Sequence, residues 1–355
     1  MTLLINLSCL IPQPSGISVY ALNVLPHLHP LDPVVLSNEA VAGFYSIGIP
    51  FLPSGEEGRF RHVRRLAWIQ FGLPRCYRQQ AASLLFSPLP EAPLHSGCRS
   101  VVMAHDVIPL RFPVAGSPLL PYFRHYVPQV LRQAQHIICN SQATADDLIQ
   151  FYGLPARQIT PIPLAYDPTH FRWLNLPTQP YFLYVGRLDP HKNLARLITA
   201  FAHLPRELSV ELWLAGSSDS RYRPPLEAQV EELGIHPRVK WLDYVPLAEL
   251  PILLNQALAL VFPSLWEGFG LPIVEAMACG TPVITSNRAS LAEIGADAAL
   301  LVDPENIDAL QAAMQQVATD PQLFQQLRQK GLERSRRFSW QNTGAATLGI
   351  LRQHL

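Results

Sequence analysis

The sequence lacks several features that would assign it to well-known classes of protein. Lysine plus arginine equals aspartate plus glutamate at 27 residues each, so there is no basic excess for a polyanion, and nucleic acid is not an expected partner. The five cysteines include no CxxC pair and no disulfide-like spacing, which indicates a reducing, cytoplasmic compartment. Histidine and cysteine spacing gives no zinc pattern. No apolar run reaches the roughly 18 residues that a membrane span needs.

What the sequence does have is a large apolar fraction arranged in a regular alternation. At 355 residues, with 48% hydrophobic and 15% charged residues, it can fill the cores of two domains. Short apolar runs alternate with helix-like stretches, which is typical of parallel sheets wrapped by helices. The predicted fold class is therefore α/β, with two doubly wound Rossmann-like domains that face each other across a cleft.

The predicted strands fall into two sets. No basic region precedes the apolar N-terminus, so we expect a strand there rather than a signal peptide. The first set is 3–10, 34–37, 84–87, 100–104, 136–140 and 159–164, and the second is 181–186, 209–215, 239–242, 259–263, 282–285 and 299–302. A proline-rich linker is predicted at about 165–180. We place the domains at 1–170 and 171–337, and an amphipathic helix at 338–355 either packs back on the first domain or ends the second.

The stretch EGFGLPIVEAMACGTPVI at 267–284 places two glutamates around the start of a short predicted helix. Glu267 lies just before the helix and Glu275 one turn inside it, where unpaired N–H groups and the helix dipole favour an anion. The pair could perform general acid/base work, as in hydrolases. Alternatively, the pair could recognise hydroxyl groups on either side of a phosphate. Glu275 would then accept hydrogen bonds from a ribose, and Glu267 would contact a transferred sugar. A role in helix stability alone explains Glu267 poorly, because it lies outside the helix.

A second group of charges follows the predicted strand YFLYVG, in the segment RLDPHKN. Arg187 and Lys192 flank the start of a helix predicted at 193–203. Two cations at such a place suit a diphosphate leaving group, on which charge builds as its bond breaks. The alternative is a solvated basic turn. No DxD-like pair at a strand end offers a site for a metal-held diphosphate, so the two cations could take the place of a metal.

Three weaker candidates lie in the first half of the chain. His105 and Asp106 follow a buried strand in VVMAHDVIPL, where His105 could transfer a proton, hydrogen-bond a sugar, or simply cap the strand end. Gly16 opens a helix after the first strand and is similar to a phosphate-approach loop, although turn geometry explains it equally well. Residues 59–80 carry six arginines among apolar residues. This predicts either a helix on an anionic membrane surface or one that buries Trp68 and keeps its arginines in solvent.

Together these motifs resemble the retaining glycosyltransferases of family 4, which have the GT-B fold. The resemblance runs almost end to end, through GISVY, AHDVIPLRFP, ICNSQATADDL, YVGRLDPHKN, LAGSSD, VFPSLWEGFGLPIVEAMACGTPVITSN and SLAEIGADAALLVDP. Its specific part is the pair Glu267 and Glu275 with the GFGLP turn, beside RLDPHKN. The combination of HDVIPLRFP with WIQFGLPR is closer to the bacterial mannosyltransferases of polysaccharide assembly. One departure is Ala165 in PIPLAYD, where the family often has glycine, and it concerns only local loop shape.

The resemblance implies where the donor diphosphate would bind. Arg187 and Lys192 would hold it, and the backbone would approach it closely at Gly16. Backbone N–H groups would assist from three consecutive residues, Phe269, Gly270 and Leu271.

The resemblance also implies roles for the groups around the diphosphate. Glu275 would bind the ribose, and Glu267 would bind the donor sugar and steady positive charge at its anomeric carbon. His105 would hydrogen-bond the donor sugar near the acceptor. The loop at Tyr244 and Val245 would line the base.

The resemblance therefore predicts a retaining, metal-independent hexosyltransferase that needs no cofactor, since the nucleotide-sugar is a substrate. The expected donor is GDP-mannose, with UDP-glucose second, and the expected acceptor is a glycan or a lipid-linked glycan. Residues 1–170 would lie on the acceptor side and 171–337 would bind the nucleotide-sugar, while the helix at 338–355 would cross back to the first domain. The expected location is cytoplasmic, reaching the inner face of the membrane if residues 59–80 touch it.

Two alternatives stay open. One is an epimerase or hydrolase of a UDP-sugar on the same fold, and the other is a non-catalytic module that binds a sugar nucleotide. The sequence leaves open the base and sugar of the donor, the acceptor, the linkage and the oligomeric state.

Overall fold

The computed structural model describes residues 1–10, 16–49, 59–114, 116–216 and 219–355. Within them the chain divides into two units: the first contains Met1–Leu164 with Trp340–Leu355, and the second contains Ala165–Ser339. Each unit is built on a parallel sheet with helices before and after its strands. The prediction of an α/β chain with two Rossmann-like domains is confirmed.

The sheet of the first unit has the strand order β3-β2-β1-β4-β5-β6-β7, and all its neighbouring strands are parallel. Its strands are β1 (Thr2–Asn6), β2 (Val34–Leu36), β3 (Tyr45–Ile47), β4 (Ala82–Ser87), β5 (Ser100–Ala104), β6 (His136–Cys139) and β7 (Ile159–Pro161). The central strands are buried on both faces, which their continuous apolar runs predict.

The sheet of the second unit has the order β10-β9-β8-β11-β12-β13 and is also parallel throughout. Its strands are β8 (Tyr181–Val185), β9 (Glu211–Ala215), β10 (Val239–Asp243), β11 (Ala259–Phe262), β12 (Val283–Ser286) and β13 (Leu300–Val302). Each of them overlaps a predicted strand.

Helices connect the strands in both units. In the first unit they are α1 (Gly16–Val24), α2 (Arg59–Ala67), α3 (Leu73–Gln79), α4 (Ile108–Arg111), α5 (Leu119–Pro121), α6 (Val127–Gln133) and α7 (Gln142–Tyr152). In the second unit they are α8 (Leu194–Ala202), α9 (Arg223–Glu232), α10 (Leu250–Gln256), α11 (Leu271–Ala278), α12 (Ala289–Gly295), α13 (Ile307–Thr319) and α14 (Pro321–Ser335). The last helix, α15 (Trp340–His354), belongs to the first unit.

The strand predictions differ most from the structure at β1 and β3. The predicted first strand continues to Leu10, but β1 ends at Asn6, whose side-chain oxygen accepts a hydrogen bond from the Ser8 N–H at 3.1 Å. A turn then follows, in which Leu10 N–H donates to the Leu7 carbonyl at 3.1 Å. The sequence does not predict β3, because this edge strand has three residues and none of them is buried.

Helix α15 packs on α1 and on the 3-10 helix Leu25–Leu31, within the first unit. Thr343 Oγ1 donates a hydrogen bond to the Pro163 carbonyl at 2.7 Å. Gly344 permits a close approach, since a Cβ built there would lie 2.3 Å from Cγ of His27. Helix α15 therefore packs in the same unit as β1 and α1.

The arginine-rich stretch 59–80 is not one continuous α-helix. A π-helical turn, Trp68–Gly72, separates α2 from α3. Trp68 is buried and Phe71 is exposed. Arg65 is not in solvent, because it forms an ion pair with the buried Glu91 at 2.7 Å. The expectation that all its arginines lie in solvent is therefore wrong at Arg65, while membrane contact by this stretch stays a prediction.

Candidate active site

In the second unit the strand order reverses at the centre of the sheet, between β8 and β11. In doubly wound sheets such a switch point leaves a crevice beyond the carboxyl ends of the two strands, where ligands bind. Arg187 and Lys192 follow β8, and Glu267 follows β11. The topology therefore brings predicted site residues from two distant segments to one place.

Lys192 and Glu267 form an ion pair at this switch point. Lys192 Nζ lies 2.6 Å from Glu267 Oε1, and the two side chains are only 15% and 10% exposed. The ammonium group also lies 5.6 Å from the ring centre of Phe262, at the end of β11. Removal from water strengthens the attraction between the charges, and it makes either charge costly to leave alone.

Arg187 has a different environment from Lys192. Its side chain is 67% exposed and its Nε lies 3.0 Å from Asp189 Oδ2. The ring of His191 lies among all these charges: burial lowers its pKa, Lys192 lowers it further, and Glu267 raises it. Arg187 and Asp189 act on the same ring with smaller and opposite effects. The loop after β8 thus holds one largely buried cation and one exposed cation.

Glycines let the backbone pass closely at the ends of β8 and β9. A Cβ built on Gly216 would lie 1.8 Å from the Gly186 carbonyl oxygen, so no other residue fits there without moving the backbone. Gly186 has φ of 151°, a conformation that side chains rarely adopt. Neither glycine has a predicted role, although Gly186 ends the predicted strand 181–186 and Gly216 directly follows the predicted strand 209–215.

The N-terminus of α11 carries the predicted phosphate-binding N–H groups. Phe269 and Gly270 are buried, Leu271 is the first helical residue, and none of their N–H groups has a hydrogen-bond partner among the described residues. Gly270 has φ of 120°, and a Cβ there would lie 2.8 Å from Leu291 Cδ2. This glycine lets the chain turn into the helix with its donors unused, an arrangement that attracts anions.

Glu275 lies on α11, half-buried, and its carboxylate has no hydrogen-bond or ion-pair partner in the described part of the chain. Burial raises the pKa of this carboxyl group to about 7. An acceptor of this kind is suited to hydroxyl groups brought by a ligand, because they would satisfy its lone pairs without adding a second charge.

A further contact on Glu267 was missed by the sequence analysis. The hydroxyl of Ser290, which is fully buried on α12, donates to the Glu267 carbonyl at 2.9 Å. It fixes the backbone from which the glutamate side chain projects. Only its place at the start of the SLAEIG segment could have indicated this, and there a serine also suits helix capping.

The predicted base-lining residues lie farther along the same sheet. Tyr244 and Val245 follow β10, two strands from β8. Tyr244 is 72% exposed and Val245 is half-buried. The backbone carbonyl at Asp243 accepts from Gly216 N–H at 2.7 Å, which ties this loop to the end of β9. No described contact joins the two residues to Lys192 or Glu267.

The remaining two candidates belong to the first unit. His105, after β5, has its Nε2 at 2.9 Å from the Pro88 carbonyl, and burial lowers the pKa of its ring to about 4. A carbonyl only accepts, so Nε2 carries the proton and Nδ1 of the neutral ring is an acceptor. The ring meets Tyr20 of α1 edge to face, with centroids 5.3 Å apart. Gly16 is exposed as the first residue of α1, but most of its proposed approach loop, 11–15, lies outside the described residues.

No group of three or more histidine, cysteine, aspartate or glutamate side chains that could hold a metal ion occurs among the described residues. None of the described helices is long and apolar enough to cross a membrane. Cys139 and Cys279 are both buried, and neither forms a disulfide with a described residue.

Comparison with known proteins decides the family. A model of glycosyltransferase family 4 matches residues 14–170, and a model of glycosyl transferases group 1 matches residues 167–334. An O-antigen chain mannosyltransferase B of Escherichia coli is 30% identical over 306 residues, which is 82% of this chain and 78% of that protein. The chain belongs to the family 4 glycosyltransferases.

Solved structures show the fold of this glycosyltransferase. A sucrose-phosphate synthase from Thermosynechococcus elongatus is similar with a TM-score of 0.80 and 22% identity, covering 99% of this chain and 98% of that one. HepE from Anabaena, in complex with UDP and glucose, is similar with a TM-score of 0.77 and 20% identity over 99% of this chain and all of that one. The predicted GT-B fold of the glycosyltransferase is thereby confirmed.

Proposed function

We propose that this glycosyltransferase moves mannose from a nucleotide-diphosphate sugar to a glycan or a lipid-linked glycan, with retention of configuration and without a metal ion. The observation that carries the proposal is the Lys192–Glu267 pair at the switch point, 2.6 Å apart and largely removed from water. It supplies a cation for a leaving group and a carboxylate for a sugar at one place.

The donor diphosphate would lie between Lys192 and the start of α11. The unused N–H groups of Phe269, Gly270 and Leu271 would donate to its oxygens, while Lys192 would neutralise the charge that builds on it. Arg187, which is exposed and pairs with Asp189, would move onto the diphosphate at small cost, because exposed ion pairs are weak.

The two glutamates would bind opposite ends of the donor. Glu275 would accept from the ribose hydroxyls, which would favour its charged form and lower its raised pKa. When Lys192 turns to the diphosphate, Glu267 would be released to hydrogen-bond the donor sugar and to stabilise positive charge at its anomeric carbon. Tyr244 and Val245 remain the proposed lining of the base.

Transfer would proceed on one face of the sugar. The bond between the anomeric carbon and the β-phosphate oxygen breaks, and a new bond forms to the acceptor oxygen from the same face. The acceptor proton passes to the leaving phosphate oxygen, so no protein nucleophile is required. Nδ1 of His105 would accept a hydrogen bond from a hydroxyl of the donor sugar, because Nε2–H already donates to the Pro88 carbonyl.

The choice of mannose is supported by the name of the Escherichia coli relative, and GDP-mannose is therefore the first donor to test. UDP-glucose is second, since HepE was solved with UDP and glucose. A lipid-linked acceptor would bring the chain to the cytoplasmic face of a membrane, where the exposed Phe71 in the arginine-rich stretch is the proposed contact.

The experiment is a calorimetric titration of GDP, UDP and ADP, followed by a turnover assay with the matching nucleotide-sugar and an α-mannoside acceptor. We expect one nucleotide to bind at least about 10-fold more tightly than the others, and turnover to change less than about twofold when EDTA replaces magnesium. Donor cleavage without acceptor at the full rate would favour an epimerase or hydrolase. Binding without any turnover would favour a non-catalytic module, and an EDTA-sensitive rate would contradict the metal-free mechanism.

A further inference from the structure

Asn193 connects the two loops that carry Lys192 and Glu267. Its side-chain Nδ2 donates to the Pro263 carbonyl at 3.1 Å and to the Pro304 carbonyl at 2.6 Å. Pro263 directly follows β11, in the segment that leads to Glu267. One amide group therefore joins the loop after β8 to the loops after β11 and β13.

The conformation of Asn193 differs from that of an ordinary helix N-cap, because the residue also ends the 3-10 helix Pro190–Lys192. An asparagine that precedes a helix commonly has extended backbone and caps the first N–H groups with its side-chain oxygen. Asn193 precedes α8, but its φ is 66°, in the left-handed region, and its side chain makes no capping bond. Its Oδ1 accepts instead from Arg196 Nη1 at 2.9 Å. The side chain of Asn193 therefore makes hydrogen bonds between loops and does not cap α8.

A second bond parallels this connection. The Leu265 N–H donates to the His191 carbonyl at 2.8 Å. The two residues that flank Lys192, namely His191 and Asn193, are therefore each bonded to the segment 263–265 that precedes Glu267. Lys192 lies between two fixed points, and its ammonium group is placed against the carboxylate of Glu267.

We propose that Asn193 is a positioning residue that holds Lys192 in register with Glu267 for the departure of the diphosphate. The inference rests on the proposed function of Lys192. It requires an amide: both carbonyls need a donor and Arg196 needs an acceptor, so only one orientation of the side chain satisfies all three partners. An aspartate of the same shape would face two carbonyl oxygens with no proton to donate.

The chain offers a matched control in Asn255. This residue is as buried as Asn193, at 3% against 4% exposure, and its Nδ2 also donates to two carbonyls, those of Arg172 and Pro251 at 3.0 and 2.8 Å. It lies on α10 in the same unit, and its side-chain partners, Arg172, Leu174 and Pro251, belong to neither of the loops that carry Lys192 and Glu267. The same substitution at both positions therefore removes two hydrogen bonds from an amide Nδ2 to carbonyls. Only the bonds of Asn193 join the loops that carry Lys192 and Glu267.

The experiment compares Asn193→Asp, Asn193→Gly and Asn255→Asp, with GDP release from GDP-mannose, or UDP release from UDP-glucose, as the rate measurement. Glycine keeps the left-handed backbone and removes only the side chain. At a temperature where thermal unfolding shows all variants folded, we expect kcat to fall by about 100-fold for both Asn193 variants, since a displacement of about 1 Å can cost that much. We expect Asn255→Asp to change kcat by less than about threefold, with a similar loss of thermal stability.

A double variant separates positioning from general damage. Because Asn193 acts through Lys192, adding Asn193→Gly to Lys192→Ala should lower the rate, or the affinity for GDP or UDP, by less than about twofold more. Equal kcat losses at Asn193 and Asn255, or full additivity with Lys192→Ala, would overturn the inference. If Lys192→Ala itself retained full activity, the proposed function would fail instead, and the two failures are thus distinguishable.

Discussion

Glu267 and Glu275 are the same residue type in one motif, eight positions apart, yet their surroundings differ. Glu267 has a lysine ammonium at 2.6 Å, whereas Glu275 has no partner among the described residues, and burial raises its pKa to about 7. A buried carboxylate beside a cation is held in place by the ion pair. A buried carboxylate without a cation has a raised pKa, so ligand binding can change whether it is protonated. The contrast is the basis for the two proposed roles, Glu267 beside the leaving group and the donor sugar, and Glu275 on neutral hydroxyl groups.

The strongest test of this contrast removes the cation. Lys192→Ala should lower kcat by about 100- to 1000-fold, because a preorganised charge for the leaving group is lost. It should also lower the free energy of unfolding by about 3 kcal/mol, since Glu267 is left buried without its partner. Initial rates and urea unfolding measure the two effects.

The control is the double variant Lys192→Ala with Glu267→Gln. It should recover most of the unfolding free energy while activity stays lost, because the amide needs no counter-charge. A double variant as unstable as the single one would show that the ion pair is not what the lysine contributes to folding.

The second test concerns the glutamate without a partner. Glu275→Gln should weaken binding of the nucleoside diphosphate by roughly 10- to 100-fold, because hydrogen bonds to a charged acceptor are worth about 1.5–3 kcal/mol. Its kcat at saturating donor should change much less than that of Lys192→Ala. Calorimetry with the nucleotide and with the free base separates ribose contacts from base contacts. Unchanged nucleotide affinity would contradict the ribose role.

A third expected effect is a pH dependence of stability. The carboxyl pKa of Glu275 is raised from 4.5 to about 7 in the folded chain. Between these values the folded state binds a proton that the unfolded state has released, so the free energy of unfolding falls as pH rises through this window. The fall is roughly 3 kcal/mol, because the window spans about 2.5 pH units at 1.36 kcal/mol per unit. Urea unfolding at pH 5 and pH 8 measures it, and Glu275→Gln should remove that part of the pH dependence.

Much of the fold could be predicted from the sequence, because strands buried on both faces give apolar runs with clear ends. All six strands of the second sheet overlap predicted ones. The edge strand β3 could not be predicted in this way, since it has three residues and none of them is buried. The sequence also indicated that charged residues follow β8 and β11, because loops at the ends of parallel strands carry function.

What the sequence by itself determined is most of the strands, the family, and which residues stand at the strand ends. Only the tertiary structure decided their pairing. Lys192 and Glu267 meet because β8 and β11 are neighbours in the sheet, although 75 positions separate the residues in the chain. Burial is the cause of the raised pKa of Glu275, which has no ion-pair partner among the described residues. Asn193 likewise reveals its connection only in three dimensions, because its acceptors are backbone carbonyls, which every residue has and no sequence motif can mark.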